Sequence, residues 1–463
     1  MFSRKILVSS LLALALGAGL VGGCGPAPTP IVVEKEVVVE KPVVETVVVE
    51  KEVVVEKEVV VTPTPPPPPK EVVIGAIYPL TGGLAATGED LKAGVELAVE
   101  IINGEFPDLN LPLAKEAGLP NLGGAKVKII FGDHEANAEK GMSEAERLIT
   151  EEGVVALVGC YNSSVTATAS QAAERLRIPF LNPESTSPLL TERGFEWFFR
   201  TTPYDKLFAK NFFEFLDSLK ERGIEVKKIA ILNENTLWGT DVATLEERYA
   251  KEHGYEVVAS IAYSKDATDM TSEVTTLKAA DPDVVMQASY VSDAILSMKT
   301  YKDLDFNPPA ILAMDAGFIV SEFIETLRDD ANYILSREVW ALDLAKGKPL
   351  IAKVNDMYRE RYGRSMDGNS ARAFTGVLTL CDAINRAGSV EPMAIRKALL
   401  ETDIPADQLI MPWKGIKFDP TTHQNILGAG IIVQIQDGEY KTVWPFDLAS
   451  AELIWPMPKW SER

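Results

Sequence analysis

The segment EVVIGAIYPLTGG (residues 71–83) marks where the folded body of this 463-residue chain begins. Its first seven residues are rich in β-branched side chains, and proline, threonine and two glycines follow, which predicts a strand that ends in a loop. Residues 88–103 then have the periodicity of an amphipathic helix, and residues 126–131 form a second strand-like run. This order predicts an α/β fold with a parallel sheet covered on both faces.

The same alternation continues along the chain and restarts after Thr201. Before that point we predict helices at 136–152 and 163–176, with strands at 154–158, 178–181 and 197–200. After it we predict helices at 204–222, 239–253, 269–279 and 291–303, with strands at 227–232, 255–261, 283–287 and 310–313. A body of roughly 390 residues is too long for one core, which favours two doubly wound α/β lobes. Such sheets bind ligands beyond the carboxyl ends of their strands, so we expect a central ligand cleft between the lobes.

The N-terminal residues have the features of a secretory signal. Arg4 and Lys5 precede an apolar run at 6–21, which is shorter than the roughly 20 residues of a membrane-spanning helix, and two glycines then precede Cys24. We therefore expect a signal peptide at residues 1–23 and a lipidated Cys24, which would anchor the chain to the cell membrane. An ordinary secreted protein with an incidental cysteine is the alternative.

Residues 24–70 have the composition of a spacer. The unit EKEVVV occurs at 34–39, 50–55 and 56–61, and five consecutive prolines occupy 65–69. A six-residue repeat matches no helical period, and a proline run favours an extended polyproline II conformation. We expect a tether, which either lifts the folded body away from a membrane or has no further role.

Composition excludes several classes of function. The formal net charge of −21 argues against binding to nucleic acid. The three histidines are scattered, and neither a nucleophile elbow nor a phosphate-binding loop occurs, so we predict no enzyme activity, no cofactor and no metal. Cys160 and Cys381 are far apart in the sequence, and two buried free thiols are the simpler expectation.

Hydroxyl side chains cluster after two neighbouring predicted strands. The first turn, GCYNSS at 159–164, includes Ser163, and the second, PESTSP at 183–188, includes Thr186. Hydroxyls and free N–H groups at a helix start can hold an anion, so the two turns could converge on one carboxylate. Each turn taken alone is more often a plain cap or turn, and it is the pair at neighbouring strand ends that favours a site.

Several of these segments, in this order and spacing, resemble the branched-chain amino-acid-type binding proteins of ABC transporters. The resemblance is carried by IGAIYPLTG at 74–82, VGCYNSS at 158–164, IPFLNP at 178–183, FRTTP at 199–203 and GIKFD at 415–419. It implies a type I periplasmic-binding-protein fold with three crossings between the lobes. Lobe I would comprise residues 71–201 and 338–405, and lobe II residues 202–337 and 406–463.

The resemblance also implies a ligand site. Ser163 and Thr186 match the positions whose hydroxyls contact the ligand carboxylate. Glu184 stands where the family usually has a small residue, so it either adds a carboxylate to the pocket or points away. Thr87 stands where valine- and leucine-binding members have tyrosine, which leaves the side-chain end of the pocket open.

Three further positions match lobe II of that family. Trp238 and Tyr290 match aromatic positions of the cleft, although a buried turn anchor and a core residue are the alternatives. Asp315 matches an acidic residue that pairs with the ligand ammonium, although it could instead cap a helix.

The resemblance therefore implies an extracytoplasmic solute-binding protein that closes around an amino acid or a related molecule. Its partners would be an ABC permease with its ATPase subunits. A ligand sensor that signals to a membrane receptor is the first alternative, and an anchored scaffold or adhesin is the second.

Overall fold

The computed structural model describes residues 68–463. The predicted signal peptide, Cys24 and the spacer up to Pro67 lie outside the described residues. The body contains strands and helices in alternation, as residues 71–313 predict.

The strands are β1 Glu71–Tyr78, β2 Lys126–Asp133, β3 Leu157–Gly159, β4 Phe180–Asn182, β5 Phe198–Arg200, β6 Lys228–Glu234, β7 Glu256–Tyr263, β8 Val284–Ala288, β9 Ala310–Ala313, β10 Leu335–Glu338, β11 Asp403–Pro405, β12 Gly415–Lys417, β13 Ile431–Gln436 and β14 Glu439–Trp444. The helices are α1 Ala85–Asn103, α2 Ala138–Thr150, α3 Ser163–Leu176, α4 Leu189–Glu192, α5 Asp205–Glu221, α6 Leu237–His253, α7 Thr271–Ala280, α8 Val291–Asp303, α9 Ser321–Leu327, α10 Pro349–Tyr362, α11 Gly368–Ala387 and α12 Pro392–Leu400.

The first sheet has five parallel strands in the order β2-β1-β3-β4-β5. Successive residues of a strand point to opposite faces of its sheet, and both faces of β1 are covered. Ile74 packs in a core that includes residues of α1 and α11, whereas Ile77 packs on the other face with residues of α2 and α3. The helix-covered parallel sheet expected from the sequence is confirmed.

The second sheet has seven strands in the order β14-β13-β10-β9-β8-β6-β7. The five strands from β10 to β7 run parallel, and the hairpin β13–β14 adds two antiparallel strands at one edge. The two sheets give the chain the α/β architecture predicted from its sequence.

The chain passes between the two sheets more than once. It leaves the first sheet after β5, builds the second sheet as far as β10, and then returns with α11 to pack against α1. The approach of these two helices is close, because a Cβ atom on Gly94 would lie 2.3 Å from the carbonyl oxygen of Ser370.

The segment after α12 stays beside the first sheet before it joins the second. β11 and β12 form a two-stranded ribbon, and Gln424 forms a bridge with Arg200 at the end of β5. Ile431 then opens β13 in the second sheet. The sequence placed this return at residue 406, and the boundaries of the two lobes stay predictions.

Within residues 68–463, no helix combines the length and the apolar character that crossing a membrane requires.

Candidate functional site

Two turns with hydroxyl side chains lie side by side at the carboxyl ends of β3 and β4. Ser163 is the first residue of α3 and Thr186 follows β4, and both side chains are buried. The strands pair in parallel, and the N–H of Ser187 donates to Oγ of Ser163 at 3.3 Å. The hydroxyls of both turns therefore reach one region at the edge of the sheet.

The turn that carries Thr186 is held by hydrogen bonds from buried side chains. Asn182 Oδ1 accepts the N–H groups of Glu184 and Ser185 at 3.1 and 2.8 Å. The guanidinium of Arg200, which is fully buried, donates to the carbonyl oxygens of Ser185 and Ser187 at 3.2 and 2.7 Å. Sequence reasoning did not identify Arg200 as a supporting residue, because its side-chain hydrogen-bond partners lie nine or more residues away in the chain.

Glu184 lies in the same turn with its carboxyl group buried. The hydroxyl of Tyr78, the last residue of β1, donates to Oε1 at 2.9 Å. The other oxygen, Oε2, has no hydrogen-bond partner within the described part of the chain. Burial is the main reason that the pKa of Glu184 is raised to about 8. This carboxyl therefore has one oxygen available and is mostly protonated at neutral pH.

Three aromatic rings connect the loops of the two sheets. The centroids of Trp238 and Tyr290, which follow strands of the second sheet, are 5.0 Å apart. Tyr161, which follows β3 of the first sheet, lies 5.9 Å from Tyr290. These separations are typical of attractive aromatic pairs. Sequence reasoning missed Tyr161, although it lies in the same turn as Ser163.

Asp315 is surrounded by positive groups just beyond β9. Its Oδ1 accepts the N–H of Ala316 and caps a short helical turn, so the cap considered as an alternative is present. Its Oδ2 lies 2.6 Å from Nη1 of Arg337 and 3.0 Å from Nη1 of Arg372. The residue has a φ of 45°, a left-handed conformation that costs energy for a residue other than glycine.

Arg337 and Arg372 were not identified from the sequence. Arg337 belongs to β10 and Arg372 to α11, and both are almost fully buried. The guanidinium of Arg337 lies 3.6 Å from the ring centroid of Phe208. Arg372 lies among the small and apolar residues at 368–381. This setting was a sequence signal that could have identified it, because a buried arginine needs partners.

Thr87 lies in the first turn of α1 and is completely buried. Its Oγ1 has no hydrogen-bond partner among residues 68–463. No hydrogen bond in the described part of the chain connects it to the other predicted site residues.

The loops of the two sheets are in direct contact. The hydroxyl of Ser187 donates to the carboxylate of Asp241 in α6. The hydroxyl of Ser292 donates to the carbonyl oxygen of Gly83 at 3.4 Å. Together with the pair between Asp315 and Arg372, these contacts enclose the turns described above.

No cluster of three or more potential metal ligands occurs in the described residues. Cys160 and Cys381, both buried, form no disulfide in the structure, and burial is the main cause that raises their pKa values. The arrangement at the strand ends can therefore bind through hydroxyls, aromatic rings and paired charges.

Comparison with known proteins agrees with this geometry. A family model described as "Periplasmic binding protein" matches residues 71–439. The chain is 30% identical over 398 residues to Leu/Ile/Val-binding protein homolog 7 of Brucella suis biovar 1 (strain 1330), covering 84% of this chain and 95% of that protein.

Two solved structures illustrate the similarity of fold. One is the leucine-binding protein LivK of Thermotoga maritima MSB8, with a TM-score of 0.68 at 21% identity, covering 81% of this chain and 99% of that one. The other is a solute-binding protein of an ABC transporter from R. palustris in complex with benzoate, with a TM-score of 0.68 at 16% identity, covering 81% and 95%.

Proposed function

This chain belongs to the family of periplasmic binding proteins, and we propose that it is the extracytoplasmic solute-binding lipoprotein of an ABC importer that captures an amino acid or a related small molecule. The branched-chain amino-acid type and the type I fold expected from the sequence are confirmed. Transport, lipid anchoring and the class of ligand are the parts that we propose.

The observation that carries the proposal is the convergence of two hydroxyl turns on one enclosed region. Ser163 and Thr186 are both buried at neighbouring strand ends, and the N-terminus of α3 points into the same region. The first N–H groups of a helix have no partners within the helix and favour a negative charge. We assign the carboxylate of the ligand to this place.

The ammonium of an amino-acid ligand needs a carboxylate of the protein. The sequence predicted Asp315 for this role, but two guanidinium groups already contact its Oδ2. Glu184 has an oxygen without a partner in the described chain and lies in the turn that carries Thr186. We therefore assign the ammonium to Glu184, and we assign to Asp315 the role of holding the two arginines.

The aromatic residues Trp238 and Tyr290 would cover the remainder of the ligand, and Thr87 would lie at its side-chain end. The name of the Brucella relative supports an amino acid as ligand. The benzoate bound to the R. palustris protein has a carboxylate and no ammonium, which supports the carboxylate as the common feature.

Binding would proceed by hinge closure. The ligand binds the turns beside the first sheet, the loops of the second sheet close over it, and the closed form docks onto a permease that works with ATPase subunits. Two-lobed binding proteins close about hinges, which are a few residues in loops or at the ends of helices and strands. A lipid on Cys24 would keep the protein at the outer face of the membrane.

Isothermal titration of the purified full-length protein against twenty amino acids and a set of simple carboxylates tests this proposal. We expect saturable binding of at least one compound that has an α-carboxylate, and tighter binding than of the corresponding amide. If no compound with a carboxylate binds, the proposed function is wrong. Mass spectrometry of the ligand that copurifies with the protein identifies the compound independently.

A further inference from the structure

A buried arginine stands near the start of α11, where a positive charge is unfavourable. Arg372 is the fifth residue of this helix and is 2% exposed. The N-terminal end of a helix carries a partial positive charge, so a cation there is destabilised unless anions compensate it. Asp367 caps the helix and compensates part of the positive charge at this end of the helix.

The protein itself compensates the charge of Arg372 incompletely. Its Nη1 donates to Oδ2 of Asp315 at 3.0 Å and its Nη2 donates to Oδ1 of Asn369 at 2.5 Å. Its Nε has no hydrogen-bond partner in the described part of the chain. A guanidinium has five donors, and a buried donor without a partner is costly.

A second guanidinium competes for the same carboxylate oxygen. Arg337 is 1% exposed and its Nη1 lies 2.6 Å from Oδ2 of Asp315, but neither of its Nη atoms makes an aligned hydrogen bond to a described residue. Two positive side chains therefore share one negative side chain in an enclosed region.

The other acidic groups nearby do not neutralise the charges of the two arginines at neutral pH. Burial is the largest cause that raises the pKa values of Glu184 and Glu338 to about 8 and that of Asp205 to about 7. These carboxyl groups are therefore wholly or partly protonated near pH 7. Burial disfavours the charge on Arg372, but Asp315, together with Glu338 and Glu184 once these two are ionised, raises its pKa, so it stays charged.

Arg372 faces the same region as the hydroxyl turns. A Cβ atom on Gly376, one turn further along α11, would lie 2.7 Å from Pro183. The helix thus packs directly against the turn that carries Glu184 and Thr186. The charge of Arg372 acts on Glu184 and on Tyr161, which lie at the ends of the two neighbouring strands.

We infer that Arg372 is a specificity-determining residue that binds an acidic group of the ligand, in addition to the carboxylate at Ser163 and Thr186. The ligand class is then the dicarboxylates, including amino dicarboxylates such as L-glutamate. This inference rests on the proposed function, since it needs a carboxylate bound at the hydroxyl turns.

A purely structural role for Arg372 would give a different result in a binding experiment. If the residue only joined the two lobes, its loss would weaken the binding of every ligand by the same factor. If it contacts an acidic group, its loss weakens acidic ligands selectively. L-Glutamate and L-glutamine separate the two roles because they have nearly the same shape and differ in one charge.

The test is titration calorimetry of both compounds with the full-length protein and three variants. We expect the wild type to bind L-glutamate at least tenfold more tightly than L-glutamine, and Arg372→Gln to abolish or invert this preference. Arg372→Lys keeps a positive charge and should still bind L-glutamate more tightly than L-glutamine. This variant tests the inference even if Arg372→Gln does not fold. Arg359→Gln is the matched control, since Arg359 is exposed on α10 and, among residues 68–463, forms an ion pair with Asp356 alone; it should behave as the wild type does.

The outcomes that overturn this inference differ from those that overturn the proposed function. If the wild type binds L-glutamine or L-leucine as tightly as L-glutamate, or if Arg372→Gln weakens both compounds equally, Arg372 does not select an acidic ligand. If glutarate binds with the expected dependence on Arg372 and no amino acid binds, the amino-acid part of the proposed function is wrong and the inference stands. If none of these four compounds binds, the inference is wrong, whereas the proposed function fails only if every other amino acid and carboxylate of the wider panel fails to bind as well.

Discussion

Arg372 Nη1 and Asp315 Oδ2 lie 3.0 Å apart, and this ion pair connects two parts of the molecule that belong to different sheets. Arg372 lies on α11, which packs beside the first sheet, whereas Asp315 follows β9 of the second. Because both side chains are almost fully buried, the pair is shielded from water and from salt. In the hinge motion that we propose, opening would break this pair.

Replacing Asp315 by asparagine should destabilise the protein strongly. The change leaves Arg337 and Arg372 buried without a carboxylate, and removal of one partner from a buried pair costs about 3–5 kcal/mol. The free energy of unfolding measured with urea should fall by this amount. Asp266→Asn, which removes an exposed partner of Lys265, is the control and should change it by less than about 1 kcal/mol. A loss that small for Asp315→Asn would contradict the buried-pair interpretation.

Ser163→Ala and Thr186→Ala should each weaken ligand binding without unfolding the protein. A hydrogen bond to a charged group contributes about 1.5–3 kcal/mol, which corresponds to roughly 10- to 100-fold in Kd. Calorimetry with the tightest-binding compound of the carboxylate panel measures the effect. Ser143→Ala, on the exposed face of α2, is the matched control. Unchanged affinity in both site variants would remove these hydroxyls from the binding site.

The affinity for an amino acid should depend on pH through Glu184. Its pKa is raised to about 8, mainly by burial, so below pH 8 the carboxyl must release a proton before it can pair with an ammonium. Affinity should therefore rise by up to about tenfold per pH unit below pH 8 and level off above it. Glu184→Gln should bind more weakly at pH 8 and show a flat profile. A wild-type profile that is flat between pH 6 and 8 would exclude Glu184 as the ammonium partner.

Glu246→Gln should stabilise the protein at alkaline pH and have little effect at acidic pH. Glu246 is fully buried in α6, and its pKa is raised well above the usual value, first by burial and then by Asp205 and Glu247. Below its unfolded pKa the group is protonated in both states and contributes no pH dependence. Above that value, stability falls by up to about 1.4 kcal/mol per pH unit, until the folded pKa is reached.

Urea unfolding of Glu246→Gln and of the wild type at pH 4, 6 and 8 measures this difference. The gain in stability should increase with pH. Glu247→Gln controls for the loss of charge, since its side chain is exposed on the same helix. An equal effect of Glu246→Gln at all three pH values would contradict the raised pKa of Glu246.

Gly94→Ala should destabilise the protein although alanine is the better helix former. The added Cβ would lie 2.3 Å from the carbonyl oxygen of Ser370, so α1 and α11 would have to separate. Overpacking of this kind costs about 1–3 kcal/mol, and alanine recovers about 1 kcal/mol through helix propensity. Thermal unfolding measures the balance, and affinity should fall because α11 carries Arg372. A rise in Tm would show that the two helices can separate without loss.

Local patterns predicted the elements well where caps and periodicity decide them. Helices at 163–176 and 291–303 occur with these bounds in the structure. The strand predicted from residue 154 is regular only from Leu157, where its register with Gly75 of β1 starts, although the N–H of Val155 already donates to the carbonyl oxygen of Val73 at 3.0 Å. Such a start depends on the neighbouring strand, which lies about eighty residues away in the chain and leaves no local signal.

The residues of the candidate site also fall into two groups, those that the sequence identifies and those that it does not. The hydroxyl turns, Glu184 and the aromatic residues of lobe II were identified from the sequence, because they follow strands or match an ordered set of motifs. Arg372, Arg337 and Arg200 were not identified, since the role of a buried charge depends on partners that are distant in the chain. Tyr161 was missed although it lies in the same turn as Ser163. Their importance as binding residues stays a prediction, as does that of the seven residues named from the sequence.

The sequence by itself determined the order of strands and helices as far as residue 313 and membership of a binding-protein family, because periodicity, turn residues and motif spacing are properties of neighbouring residues. Only the tertiary structure decided that Asp315 is shared by Arg337 and Arg372. These three side chains come from β10, α11 and the loop after β9, and Coulomb interactions depend on distance in space rather than on separation along the chain.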